Sequence, residues 1–182
     1  GQTMDFTFTS EQDMLRDSLG RLLGQQHGFD QRQARLRAGD IADPLWPQLR
    51  DMGLLALPFA ESEGGLGGSV SDLVAIGELL GRHLVAGGFV AGIVLGGRAL
   101  ALGGGSALLD AVIAGEAQVA LAHEERHGIG PLALLGTTLA ADGDALVLDG
   151  EKRLVLGGAE ADALVVSARA GDRLALVRVD LA

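Results

Sequence analysis

The chain has no cysteine and no tyrosine, and aromatic residues make up only 3% of it. Without cysteine there are no disulfides, no thiolate nucleophile and no cysteine-ligated metal, which fits a reducing, cytoplasmic setting. With so few rings, the core has to be packed by Leu, Ala and Val. Positive charge is also short. Against 24 Asp and Glu stand 14 Lys and Arg, for a formal net charge of −10. That balance argues against nucleic acid, whose phosphates need a basic face, and against an anionic membrane surface. No basic segment followed by an apolar one marks a signal peptide. The apolar run over 88–102 is too short and too rich in glycine for a membrane span.

Glycine is plentiful, 29 of 182 residues, and apolar residues reach 48%. The glycines are scattered through apolar runs without the proline or serine bias of a disordered segment. A folded chain with many turns and close contacts is therefore expected, of one or two small domains. Gly1-Gln2-Thr3, ahead of Met4, reads as an added remnant, and the fold is counted from Met4.

Ser10, with Asp13 three residues on, reads as a helix start, followed by Met14, Leu15, Leu19, Leu22 and Leu23 at helical spacing. A second short helix is expected over 31–38, stopping at Gly39. Asp43-Pro44 signals a third, with Leu45, Trp46, Leu49 and Met52 as its buried stripe and Gly53 as its end. A glycine-rich loop over 60–68 lacks the lysine and serine of a nucleotide-binding loop. Ser71 is a candidate cap for a helix carrying Leu73, Ile76, Leu80 and Leu84 on one side and the pair Glu78 and Arg82 on another. The run 89–102 is apolar nearly all round, as a central buried helix would be. A short helix follows Gly103-Gly104-Gly105-Ser106.

After Gly115 the period changes. Runs at 119–122, 139–141, 146–148, 154–156, 164–167 and 174–179 are strand-like, punctuated by Asp142-Gly143-Asp144, Asp149-Gly150 and Gly171-Asp172. The fold class expected is α+β, a helical bundle over 4–117 followed by an antiparallel β-domain over 118–182. Because the sequence stops directly after a strand-like run, the β-domain is expected to be incomplete.

The stretch 119–128, V-A-L-A-H-E-E-R-H-G, is the candidate for chemistry. His123, Glu124 and His127 match H-E-x-x-H, which on a helix sets two imidazoles one turn apart around a zinc ion, with the glutamate activating water. Gly128, Gly130 and Pro131 follow at once and oppose a helix there. The alternative is a strand over 119–122 ending in a polar loop. Trp46 reads as a core anchor, Lys152 as a solvated charge beside a hairpin, and His27 and His83 as surface residues.

In order along the chain, several pieces are similar to the amino-terminal half of the acyl-CoA dehydrogenase family. Phe8 to Gln12 resembles its first-helix start. Leu45-Trp46 through Gly53-Leu54, then Leu57-Pro58 and Glu63-Gly64-Gly65-Leu66-Gly67, resembles its L-W…G-L…P-E-x-x-G-G-x-G signature. Ala114-Gly115-Glu116 with Ala120-Leu121-Ala122 resembles the entry to its β-domain, and Leu148 to Lys152 with Ala161-Asp162 and Val165-Val166 its L-x-G-x-K…A-D…V-V segment.

The resemblance implies FAD lying against the β-domain and oxidation of an acyl-CoA thioester between its α and β carbons. It also implies homo- or hetero-oligomers with another chain of the same kind. The cofactor-binding positions it implies are Ala120, Ala122, His123, Gly128, Ile129, Leu154 and Leu156. The family's T-E-P-x-x-G-S loop falls on 123–129, where glutamate and glycine match at Glu124 and Gly128. Threonine, proline and serine become His123, Glu125 and Ile129. Its tryptophan-isoleucine-threonine stretch falls on Leu154-Val155-Leu156. The family's catalytic base lies in a C-terminal helical domain outside this sequence, so no catalytic residue is assigned. The departures imply weakened flavin contacts, and with them a second expectation, a non-catalytic partner subunit in a heteromeric enzyme.

Overall fold

The computed structural model of the protein describes residues 7–39, 45–85, 87–104, 107–126, 135–143 and 145–181. Six α-helices come first among the described residues: α1 (Ser10–Gln26), α2 (Phe29–Ala38), α3 (Trp46–Asp51), α4 (Val70–Arg82), α5 (Arg98–Leu102) and α6 (Ala107–Ile113). Five strands follow: β1 (Val119–Ala122), β2 (Thr138–Asp142), β3 (Ala145–Asp149), β4 (Ala163–Ala170) and β5 (Arg173–Asp180).

The helix caps differ from the sequence reading by one or two residues. Thr9, not Ser10, caps α1. Its hydroxyl accepts from the Gln12 N–H, and the Gln12 side chain accepts from the Thr9 N–H. Ser69, not Ser71, caps α4 in the same reciprocal way with Asp72. In each case a hydroxyl three residues before an acidic or amide side chain satisfies two orphan donors together. The amide of Gln12 also donates to Asp72 at 2.8 Å, joining the two caps. Asp43-Pro44 and Ser106 lie outside the described residues. The Glu78–Arg82 pair forms as expected, at 3.1 Å and exposed.

The core is aliphatic, as the shortage of rings requires. Leu19, Leu23, Leu49, Leu54, Leu55, Ile76, Ile93 and Val112 are buried around Phe59 and Trp46, whose indole N–H donates to the Gly115 carbonyl. His27 is buried as well, within reach of Arg35 and the Leu84 carbonyl, so it is not the surface residue that its lone place in the sequence suggested.

The run 89–102 is not one α-helix. Phe89–Gly97 is π-helical and passes into α5 at Arg98. Gly92 and Gly96 let its backbone press onto β1, and Gly97 makes room for the Phe59 ring. A Cβ at Gly96 would sit 2.7 Å from the Val119 carbonyl oxygen, inside any tolerable contact.

The sheet is mixed rather than antiparallel. β1 lies parallel to β4, with Ala122 opposite Val166, and β2 touches β4 in parallel at one register point. The β2–β3 and β4–β5 pairs are the antiparallel hairpins that their Asp-Gly and Gly-Asp turns called for. The expected strand over 154–156 does not form. Leu154 adopts φ 52°, and a turn follows it.

Candidate functional site

The parallel register of β1 and β4 sets the site. With Ala122 opposite Val166, the next residues, His123 and Ser167, come side by side at the carboxyl end of β1. His123 Nδ1 is 2.8 Å from Ser167 Oγ, and Ser167 is fully buried.

Glu125 lies two residues on. Its carboxylate accepts from the N–H groups of Gly136 at 2.7 Å and Thr137 at 3.0 Å and from the Thr137 hydroxyl at 2.6 Å. Lys152 closes the cluster. Its ammonium donates to Glu125 Oε1 at 2.7 Å, the His123 carbonyl at 3.2 Å and Ser167 Oγ at 3.2 Å. Only 8% of the Lys152 side chain is exposed, so this is a nearly buried ion pair and not a solvated charge beside a hairpin. Burial raises the Glu125 carboxyl. The hydrogen bonds from Lys152, Thr137 and the two amides outweigh that and hold it down at about 2. The turn before Lys152 needs Gly150, at φ 154°, because a Cβ there would lie 2.5 Å from Thr137 Oγ1.

The loop after Lys152 is thereby pinned to the end of β1. The Arg153 N–H donates to the Glu124 carbonyl at 2.8 Å. Leu154 is then 87% exposed in a left-handed conformation, and Leu156 is 64% exposed. A non-glycine residue at positive φ costs about 1 kcal/mol or more, and such strain gathers at functional sites. Gly157 brings the loop against Ala91 of the π-helix, where an added Cβ would lie 3.1 Å from the Ala91 Cβ. Glu124 Oε2 is buried with no hydrogen-bond partner among the described residues.

The positions implied for a cofactor fall into three groups. His123 lies at the end of β1, and Leu154 and Leu156 lie on the loop that the Lys152 and Arg153 bonds tie to that end. Ala120 and Ala122 are fully buried under the same strand end. Gly128 and Ile129 lie outside the described residues, as does His127. A flavin needs an apolar surface at its ring face and donors along its polar edge. The exposed leucines and the His123 imidazole fit those two demands.

Of the zinc motif, His123 and Glu124 are described and His127 is not. Residues 123–126 are non-helical and continue directly from a strand, which opposes the helix that H-E-x-x-H needs. Among the described residues no three His, Asp or Glu side chains are placed to hold a metal ion. Sequence reasoning missed Glu125, Thr137, Lys152 and Ser167 as a group. The available signal was Glu125 in place of a proline, 27 residues ahead of a lysine that it pairs with.

A cavity of about 620 Å³ lies elsewhere, lined by Ser62, Glu63, Gly64, Ala101, Gly104, Leu109 and Asp110. Its two carboxylates suit neither a phosphate nor another anion.

Comparison with known proteins agrees with this architecture. A family model described as acyl-CoA dehydrogenase, N-terminal domain, matches residues 9–117. Benzylmalonyl-CoA dehydrogenase of Aromatoleum aromaticum is 27% identical, over 93% of this chain and 46% of its own length. The ChsE4-ChsE5 complex from Mycobacterium tuberculosis contains a chain 26% identical with a TM-score of 0.84, over 97% of this chain and 49% of that one. A putative acyl-CoA dehydrogenase from Mycobacterium smegmatis is 29% identical with a TM-score of 0.77, over 95% and 48%. The chain thus spans about half the length of the relatives it matches. The matched segment takes in more than half of the chain, and the chain belongs to the acyl-CoA dehydrogenase family.

Proposed function

We propose that this chain is the flavin-seating half of an acyl-CoA dehydrogenase-type flavoprotein, inactive by itself, acting on an acyl-CoA thioester. The observation that supports this reading is the pair of exposed leucines, Leu154 and Leu156, on a strained loop pinned by Lys152 and Arg153 to the end of β1. Bound FAD supplies the oxidising power for forming a double bond between the α and β carbons. The leucines give the ring a dry face, His123 gives its polar edge a hydrogen-bond donor, and the Glu125–Lys152 pair holds both in register. The group that removes the α-proton is assigned to the half of the relatives that this chain does not span.

The visible spectrum of the purified protein tests this. A flavin absorption band released on denaturation is the expected result. A colourless protein that takes up no FAD overturns it.

A second reading, a non-catalytic partner within a heteromeric enzyme, has its own support. Two of the similar structures are named as pairs, ChsE4-ChsE5 and the Tcur3481-Tcur3483 steroid ACAD. At the same time, aliphatic side chains stand at 129, 154 and 156 where the family has polar or aromatic contacts. This reading expects a colourless chain that co-elutes with an active family member, which would then carry all the flavin.

A further inference from the structure

Among the described residues Ser167 Oγ has two hydrogen-bond partners, the ammonium of Lys152 at 3.2 Å and Nδ1 of His123 at 2.8 Å. An ammonium has three donors and no acceptor, so Ser167 must accept from Lys152. The serine has one hydrogen left to give, and Ser167 is only 1% exposed, so that hydrogen cannot go to solvent. Its remaining partner among the described residues is His123 Nδ1. Were Nδ1 to carry a proton instead, the serine oxygen would face two donors and its own buried hydrogen would have no acceptor. A buried unsatisfied donor is disfavoured.

We propose that Lys152, acting through Ser167, fixes neutral His123 as the Nε2–H tautomer. The imidazole then presents one donor in a set direction to a ligand seated over Leu154 and Leu156. Among the described residues nothing else is hydrogen-bonded to Nε2. The ligand class is a planar heteroaromatic ring with a carbonyl or ring-nitrogen acceptor at its edge. Identifying that ring as a flavin rests on the reading of the preceding subsection, whereas the tautomer rests only on the cluster. Lys152 is a positioning residue here: it acts on the ligand through Ser167 and His123. Glu125 holds the ammonium in place, accepting from it at 2.7 Å.

Histidine ring nitrogens report their protonation directly in long-range nitrogen–proton NMR spectra, because a bare nitrogen resonates far downfield of a protonated one. The His123 signals are assigned by their loss in His123→Asn, and the spectra are taken at a pH where imidazole is neutral. In the parent protein Nδ1 should be bare and Nε2 protonated. Ser167→Ala, which leaves the ion pair intact, should give a mixture of tautomers. Lys152→Met should do the same, with Lys152→Arg restoring the parent pattern. A protonated Nδ1 in the parent, or a pattern unchanged in folded Ser167→Ala, overturns the proposal. Addition of FAD decides the other question. A shift confined to Nε2 supports the flavin, and saturation without any shift refutes that identification while the tautomer stands.

Discussion

Charge placement at Lys152 decides more than its count in the composition suggests. Its nearly buried pair with Glu125 differs in kind from the exposed Arg82–Glu78 pair on α4. Removing one partner of a buried pair leaves an uncompensated charge, so Lys152→Met should lower stability by roughly 3 kcal/mol in urea unfolding. Arg82→Ala should change it by less than about 0.5 kcal/mol. The acid limb follows from the same carboxylate. Glu125 is held below its ordinary 4.5, at about 2, so between those values the unfolded chain binds more protons than the folded one. The stabilisation is therefore complete above pH 4.5 and lost as pH falls toward 2. Asp72 is shifted in the same direction by its cap, where hydrogen bonds from Ser69 and Gln12 outweigh the burial that would raise it. Stability measured against pH should fall through this window, and Glu125→Gln should flatten the part due to Glu125. An unchanged slope in that variant would assign the acid limb elsewhere.

The helices and hairpins were largely legible because their signals are local. Aliphatic residues at helical spacing, and Asp-Gly or Gly-Asp turns between short apolar runs, name α1, α4, β2–β3 and β4–β5 without help from distant residues. What escaped depends on contacts far apart in sequence. Leu154-Val155-Leu156 has the composition of a strand, but Lys152 and Arg153 are already committed to the end of β1, and the following residues turn away. The parallel pairing of β1 with β4 likewise has no local signature, since 40 residues of chain separate their ends. The π-helix has no signature in its periodicity, and β1 approaches it closely at Gly96. That contact makes a sharp contrast between two glycines. Gly96→Ala should destabilise by roughly 1–3 kcal/mol, since the Val119 carbonyl must shift. Gly20→Ala, in α1 with nothing within 4 Å of the new methyl, should stabilise by about 1 kcal/mol. Thermal unfolding of the two variants against the parent checks both signs.

Taken whole, the protein joins a bundle of aliphatic helices to a mixed sheet, with the π-helix and β1 as the joint. The candidate site sits where that joint meets the Lys152 loop. Its family was legible from an ordered set of short motifs, none of them specific alone, and the family match over 9–117 agrees. The buried polar cluster was not legible, because Glu125, Thr137, Lys152 and Ser167 meet only once the sheet has formed. No helix among the described residues is long and apolar enough to cross a membrane. The central claim is that Leu154 and Leu156 are the seat of a flavin ring, and titration with FAD followed by flavin fluorescence tests it most directly. The account predicts saturable binding by the parent protein and at least about a tenfold loss of affinity in Leu154→Asp/Leu156→Asp, a change of about 1.4 kcal/mol, with the circular dichroism spectrum unchanged. Equal affinity in the two proteins, or no saturable binding by the parent, would contradict it.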